Sequence, residues 1–461
     1  MTKPNITRMV AAFLVFAALT GALVASSAAP SVGDSWWEDT FADATGLQTL
    51  TDTVVADGSL TLAQEIVTWT QTTAADFAAG TFSGTRVITA EDAIELATGG
   101  FSAPVQIYSP TQQSAQKSPD LARDPAGGIH LVWQDALASS LYEVLYSQSS
   151  DGGLTWTVPR AIPHPSQAYR YSARVAAASL TEIHAVWRES KEGDTGDSIV
   201  YGRSTNGGAT WTLITLTSFA YAGNKTPAIA RSESGRVHVI WARDYAGLFY
   251  ANNGNWGNIA RISDVNAVQF SDAPRIIAAG ANTVYAIWAD DRSGAWNVYV
   301  DRSTDGGAHW GVDVRIDGVA VAQDTPSLAV AGDGTVIAAW RDNRNQPTSG
   351  YDILVSRSTD GGASWSAPVA IASPQTAADQ HDPVLAAGGS SVHLLCRQYD
   401  GGKPNLFHAR STDGGRTWSS LAPADAGGAG YEHGPAAAFA EPSGRLNMAW
   451  EDRRDSLGRI Y

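Results

Sequence analysis

Seven short polar stretches recur along the chain at one place in a repeating pattern: QKSP, YRYS, NKTP, SDAP, QDTP, QHDP and YEHGP. Between them they hold Lys117, Arg170, Lys225, Asp272, Asp324, His381, Asp382, Tyr431, Glu432 and His433. Cations there would hold a carboxylate, while a carboxylate, an imidazole or a phenol there could move protons. The same residues would also serve as a plain polar rim, so residue type alone leaves binding and catalysis both open. The sequence has no HExxH zinc helix, Walker-type phosphate loop, GxSxG elbow or CxxC pair. The usual signatures of metalloproteases, NTPases, serine hydrolases and thiol redox enzymes are therefore missing, and no metal or cofactor is expected.

A repeat must position these stretches. An alternating apolar run ending in Trp returns as IHLVWQD, IHAVWRES, VHVIWARD, VYAIWADD, VIAAWRDN and LNMAWEDRR, and VHLLCRQ fills the one gap with Cys396 in the Trp place. The spacings from Trp133 through Cys396 to Trp450 are 54, 54, 47, 52, 56 and 54, which makes seven units. Each unit reads as four short strands, as in TPSLAVAG, TVIAAWRD, DILVSRS and SAPVAIA. Period-two alternation and Val, Ile, Thr and Trp enrichment favour strands over helices. The expected fold is all-β: a seven-bladed β-propeller of four-stranded antiparallel blades, with a small N-terminal β module. The seventh unit stops after its third strand, and SAPVQI, Ser102–Ile107, resembles the outer strand SAPVAI of unit five. That N-terminal strand is expected to complete the last blade and close the ring, so that no sheet edge is left open.

The 461 residues divide into three parts. Lys3 and Arg8 precede the apolar run Met9–Val24 and the small residues ASSAAP, so 1–29 reads as a signal peptide. Residues 31–101 carry two loose copies of an F…G…V…L-x-[LI]-A pattern and read as a β-rich module, and 102–461 reads as the propeller. The expected location is outside the cytoplasm, with no integral membrane span after cleavage, and the chain reads as a monomer. A net charge of −15 argues against nucleic acid as a partner. An extracellular glycan or protein is the expected one. Cys396 is the only cysteine, so no internal disulfide can form and the thiol is expected in the core. His130, His184, His238 and His393 share one place, three before Trp or Cys, and read as strand positions. Asp290/Arg292, Asp342/Arg344 and Asp452/Arg454 read as ion pairs between blades.

The string RSTDGGASW, Arg357 to Trp365, recurs from Arg302 and Arg410, as RSTNGGATW from Arg203, and more loosely as SQSSDGGLTW from Ser147. It lies between the third and fourth strands of its unit. Ser and Asp oxygens there can accept backbone N–H groups of their own turn, and the glycines permit positive φ. Asn206 can replace Asp, which fits a turn rather than a charge-dependent site. One carboxylate per copy is too few for calcium. In an up-down blade these turns share a face with the first-to-second strand loops. The polar stretches lie on the other face, at the mouth of the central channel.

S-x-D-x-G-x-x-W is the Asp-box, and the region resembles the Asp-box propellers of the sialidase superfamily. The resemblance implies a β-propeller and, for its enzymes, an arginine triad for a sugar carboxylate, a Tyr nucleophile with a carboxylate base, and an Asp acid. Carried over by position, YRYSA offers Arg170, WRD offers Arg341 and LLCRQ offers Arg397 for the triad. GYEHGP offers Tyr431 as nucleophile, QDTP offers Asp324 as base, and KEGDTGDS offers Asp194 or Asp197 as acid. The chain differs from sialidases in having seven units rather than six and Asp324 where they carry Glu. The expectation is an exported glycan- or protein-binding scaffold. An exo-α-sialidase that retains configuration is the alternative, and another polysaccharide-acting glycosidase is the second.

Overall fold

A computed structural model describes residues 106–107, 114–136, 142–164, 168–191, 196–217, 223–224, 226–265, 274–319, 321–346, 350–373, 378–400, 403–424, 432–453 and 459–460, together with nine short strands between Val15 and Leu96. The chain divides into two compact units, Met1–Ser102 and Ala103–Tyr461. Among its described residues the first holds antiparallel strands. Val15–Ala17, Ala22–Ser26 and Trp36–Thr40 form one sheet, and Thr49–Leu50, Thr53–Ala56, Ser59–Leu62 and Thr68–Trp69 a second. Thr85–Ile88 pairs with Ala93–Leu96.

The second unit is the expected seven-bladed propeller. Blades one to six are four-stranded antiparallel sheets whose spatial order follows the chain. Their innermost strands are Gln116–Arg123, Tyr169–Ala177, Ala228–Arg231, Arg275–Ala279, Gln323–Val330 and Gln380–Gly388. Each packs beside the next, and Glu432–Ala440 of blade seven packs beside Gln116–Arg123, which completes the circle. Blade seven supplies three strands of its own, ending at Arg459–Ile460. The Ile107 N–H donates to the Ile460 carbonyl at 3.1 Å, and Ile107 packs against Leu131, Trp133 and Ala449. The segment ahead of blade one therefore bonds to the last strand of blade seven, joining the two ends of the ring.

The second strand of each blade is buried from both sides, which is why its residues are so uniformly apolar. Trp133, Trp187, Trp241, Trp288, Trp340 and Trp450 are all buried, and so is Cys396 in the same place. Cys396 packs among Ile353, Leu394 and Phe407, and burial pushes its thiol pKa up. The histidines three before Trp are buried strand residues with a local partner. His184 and His238 place Nδ1 2.7 Å from the hydroxyls of Tyr201 and Tyr250. His393 hydrogen-bonds His408 instead, at 2.9 Å. Desolvation lowers their pKa, to about 4 for His184 and His238 and about 3 for His408.

The recurring turn works as a hydrogen-bonded plug. The Ser358 hydroxyl donates to Asp360 at 2.7 Å and accepts the Gly362 N–H at 2.7 Å. Asp360 accepts the Ser364 N–H at 2.9 Å, and the Trp365 indole donates to the Gly362 carbonyl at 3.2 Å. Asn206 accepts the Thr210 N–H at 2.9 Å, so the amide does serve in place of Asp. Gly207 and Gly306 in these turns donate to Thr181 and Asn282 in the first-to-second loops of their own blades, so the two loops share a face. The second glycine has a further reason. Gly208 has φ +81°, and a Cβ there would stand 2.5 Å from the Tyr146 ring of the preceding blade.

The Asp–x–Arg pairs correct one expectation. Asp290 and Arg292 pair within blade four, where Arg292 also reaches Asp313 at 2.5 Å. Arg344 pairs with Asp342 and crosses to Asp317 of blade four, so of the two described pairs this one joins two blades. Each of these aspartates also accepts its blade's Trp indole N–H, at 2.8 Å for Asp290 and 3.2 Å for Asp342. Arg454 lies outside the described residues.

Candidate functional site at the channel mouth

The polar stretches at the strand entries are built on one backbone device. Ser118, Ser172, Thr325 and Asp382 have φ of 47°, 55°, 45° and 50°. Left-handed backbone is uncommon for residues with a side chain, and rarest for a β-branched one such as Thr325. At each of the four the pairing slips, between Lys117 and Asp120, Tyr171 and Arg174, Asp324 and Ser327, and His381 and Val384. A bulge re-aims the side chains on either side of it. The residue just before it, Lys117, Tyr171, Asp324 or His381, comes to the mouth. The one before that, Gln116, Arg170, Gln323 or Gln380, is buried in the blade.

Arg170 thus takes the place of a structural glutamine. Gln116 accepts the Ile460 N–H and Gln380 accepts the Ile353 N–H. The Arg170 guanidinium is enclosed by Glu143 at 3.1 Å, Glu189 at 3.3 Å and His164, with 1% of its side chain exposed. The guanidinium is thus engaged within the blade, on Glu143, Glu189 and His164.

Arg341 and Arg397 do reach the mouth, and Arg188 stands at the same repeat place. Arg341 forms a two-pronged pair with Asp324, at 2.7 and 2.5 Å. Arg397 pairs with Asp382 at 2.5 Å, and Arg188 approaches Asp197 at 3.9 Å. Each arginine keeps about a fifth of its side chain in solvent, at 23, 20 and 21%. Each also lies on a tyrosine: Arg341 is 4.7 Å from the Tyr351 ring centre, Arg397 5.4 Å from Tyr399 and Arg188 5.4 Å from Tyr171. In blade one Lys117 lies 5.1 Å from Tyr142. Four blades therefore carry one unit, a cation lying over a phenol ring.

His381 ties blades five and six together. Its ring packs between Tyr351 and Tyr399, at 5.6 and 5.1 Å. Its Nδ1 lies 2.7 Å from an Arg341 nitrogen. Arginine can only donate, so Nδ1 must accept and the proton sits on Nε2. Burial first, then the adjacent Arg341 charge, lowers the His381 pKa and keeps this neutral form. The site thus offers guanidinium and imidazole N–H donors and aromatic faces. It is suited to carboxylates or sulfates carried on sugar rings.

Asp194, Tyr431, Lys225 and Asp272 lie outside the described residues. Glu432 and His433 open the innermost strand of blade seven. Asp324 is engaged by Arg341 rather than standing alone as a base. Among the described residues no cluster of His, Cys, Asp and Glu could hold a metal. The sequence reading missed Tyr142, Tyr351 and Tyr399. They come from different strand ends, so no fixed spacing joins them to their cations. The recurrence of Arg directly after Trp or Cys was the available signal.

A scan of family models and a search of curated proteins give no match. Solved structures match by fold. An ulvan lyase of a polysaccharide lyase family is 9% identical, with 76% of this chain and 94% of that one covered and a TM-score of 0.52. Its complex bound to -[GlcA(1-4)Rha3S]- is 11% identical over 76% and 94%, with a TM-score of 0.51. The NanB sialidase from Streptococcus pneumoniae is 12% identical over 68% and 69%, with a TM-score of 0.45. At such identities the likeness is one of fold, and the structural neighbours include sialidases and a polysaccharide lyase.

Proposed function

We propose that this chain is an exported glycan-binding propeller whose channel mouth holds an anionic saccharide. The observation that carries the reading is the repeated cation–tyrosine pair of blades one, two, five and six. Tyrosine faces take the apolar side of a sugar ring, and the arginine N–H groups take its acidic substituent. The five Ser–Asp–Gly–Trp turns support a place among Asp-box propellers and leave the channel face to the ligand. Glycan-acting neighbours of the same fold agree with the reading without carrying it.

The test is retention of the purified protein on immobilised polygalacturonate against neutral arabinan. Retention on polygalacturonate alone is expected, weakening as salt rises. Arg341→Gln and Arg397→Gln should each weaken it roughly ten-fold, the cost of one hydrogen bond to a charged group. Equal retention on both polymers, or by the variants, would remove the reading. The sialidase alternative keeps Tyr431 as nucleophile, Asp324 as base and Asp194 as acid, with Arg341 and Arg397 for the carboxylate. Turnover of a fluorogenic sialoside that Tyr431→Phe abolishes would establish it over the binding reading.

A further inference from the structure

Below the mouth, one register place on the innermost strands carries charged side chains toward the axis. Asp120, Arg174 and Arg275 hold one register place, opposite Val132, Val186 and Ile287 of their blades. Arg275 of blade four lies within electrostatic reach of Arg174 in blade two, Asp120 in blade one and Asp382 in blade six. In a ring, side chains of blades that are not neighbours can meet only across the central channel.

Among the described residues the charges gathered there do not balance. Asp382 already pairs with Arg397 at 2.5 Å. Asp120 stands 4.0 Å from the Arg174 Nε, and its other oxygen accepts the Val175 N–H at 2.8 Å. Arg174 donates to the Ala173 carbonyl at 3.0 Å, and Arg275 to the Pro274 carbonyl at 3.3 Å. Among the described residues these are the hydrogen bonds the two guanidiniums make, so most of their N–H donors are left over.

The fold gains nothing visible from these cations. At the same register place Ser327 accepts the Leu385 N–H of the next blade at 2.9 Å, as Asp120 accepts that of Val175. Those side chains staple neighbouring blades. Arginine has no acceptor and cannot do this. Burial and the facing Arg174 push the Arg275 pKa down to about 10, the mark of a cation held where cations are disfavoured. Two underpaired guanidiniums inside an otherwise acidic protein are a stored attraction for an anion.

We infer that Arg174 and Arg275 form an oxyanion subsite in the channel, which takes a carboxylate or sulfate group of the ligand held at the mouth. The subsite rests on the proposed glycan-binding reading for the ligand's sugar, but not for its charge. It makes the preferred ligand one that carries an acidic group on a ring or branch able to enter the channel.

The test is the thermal midpoint of the full chain in sodium sulfate, in trigalacturonate and in sodium chloride, at matched ionic strength. Sulfate stabilises most proteins without saturating, so the saturable part of the response is the signal. Wild type should show it with trigalacturonate and more weakly with sulfate. Arg275→Gln and Arg174→Gln should lose it, and Arg275→Lys, which keeps the charge without the fork, should weaken it several-fold. In chloride the two Gln variants should melt at or above the wild-type temperature, since one of two repelling charges has gone. A saturable response unchanged in the variants, its absence from wild type, or an Arg275→Gln protein that melts lower or fails to fold would overturn the inference. A saturable response without retention on polygalacturonate would remove the glycan reading and leave the oxyanion subsite standing. Retention that Arg275→Gln leaves intact would do the reverse.

Discussion

Acidification from pH 7 to pH 5 should destabilise the propeller through its buried strand histidines. His184, His238 and His408 are held neutral, with pKa lowered by desolvation to about 4, 4 and 3. In the unfolded chain each titrates near 6.5. The unfolded state then binds more protons, so stability is fully present above about 6.5 and is lost as pH falls toward the folded values. Each group loses about 2 kcal/mol between pH 7 and pH 5, and the three together about 5 to 6 kcal/mol. Asp301 acts the other way. Burial raises its carboxyl to about 7, so protonation in the folded state returns about 2 kcal/mol over the same interval. The turn aspartates Asp151 and Asp413, lowered to about 2, begin to matter only below about pH 4. The expected net loss is about 3 kcal/mol. His130, His381 and His393, also lowered, add to it, while Asp120, Asp313 and Glu451, raised by burial, work against it. The assay is urea unfolding followed by Trp fluorescence at pH 7, 6 and 5 and constant ionic strength. His184→Gln removes one titrating group and should shrink the pH-dependent loss by about 2 kcal/mol, whatever it does to stability at pH 7. Stability that is flat or rises on acidification, or a His184→Gln slope equal to wild type, would refute the reasoning.

Three further outcomes follow from the packing. Gly208→Ala should cost more than about 2 kcal/mol in urea unfolding, because left-handed strain adds to a clash with Tyr146. Gly334→Ala, with φ +84° and open space around it, should cost only about 1 kcal/mol. Ser358→Ala removes the acceptor of the Gly362 N–H and should cost about 1–2 kcal/mol, while Asp360→Asn should be nearly neutral, as Asn206 shows. Cys396 should react with Ellman's reagent no faster than the protein unfolds, since it is fully buried and its thiol is held protonated.

The fold was legible because each repeated residue answers to a local constraint. A Trp buried from both sides recurs in six blades, and a Ser with an Asp or Asn that closes a turn in five. Even the meeting of Ile107 with the last strand of blade seven could be anticipated, from the likeness of SAPVQI to SAPVAI. The site was less legible, because it depends on bulges. Arg170 sits one residue from the mouth position held by Tyr171, and in a strand one residue is the difference between two faces. Arg341 and Arg397 share a place the repeat marks, but their partners Tyr351 and Tyr399 arrive from different strand ends. Arg188 stands at the same repeat place, directly after Trp187. The repeat is what sets cations around the mouth. The Arg174 and Arg275 pair could not be read at all, since blades two and four meet only across the closed ring.

The most direct test of the central claim is a crystal structure of the protein with trigalacturonate. The account predicts a sugar ring against Tyr351 or Tyr399, with a carboxylate on the Arg341 or Arg397 guanidinium. An oligosaccharide seated on the face of the Ser–Asp–Gly–Trp turns, with the mouth arginines still bound only to Asp324 and Asp382, would contradict it.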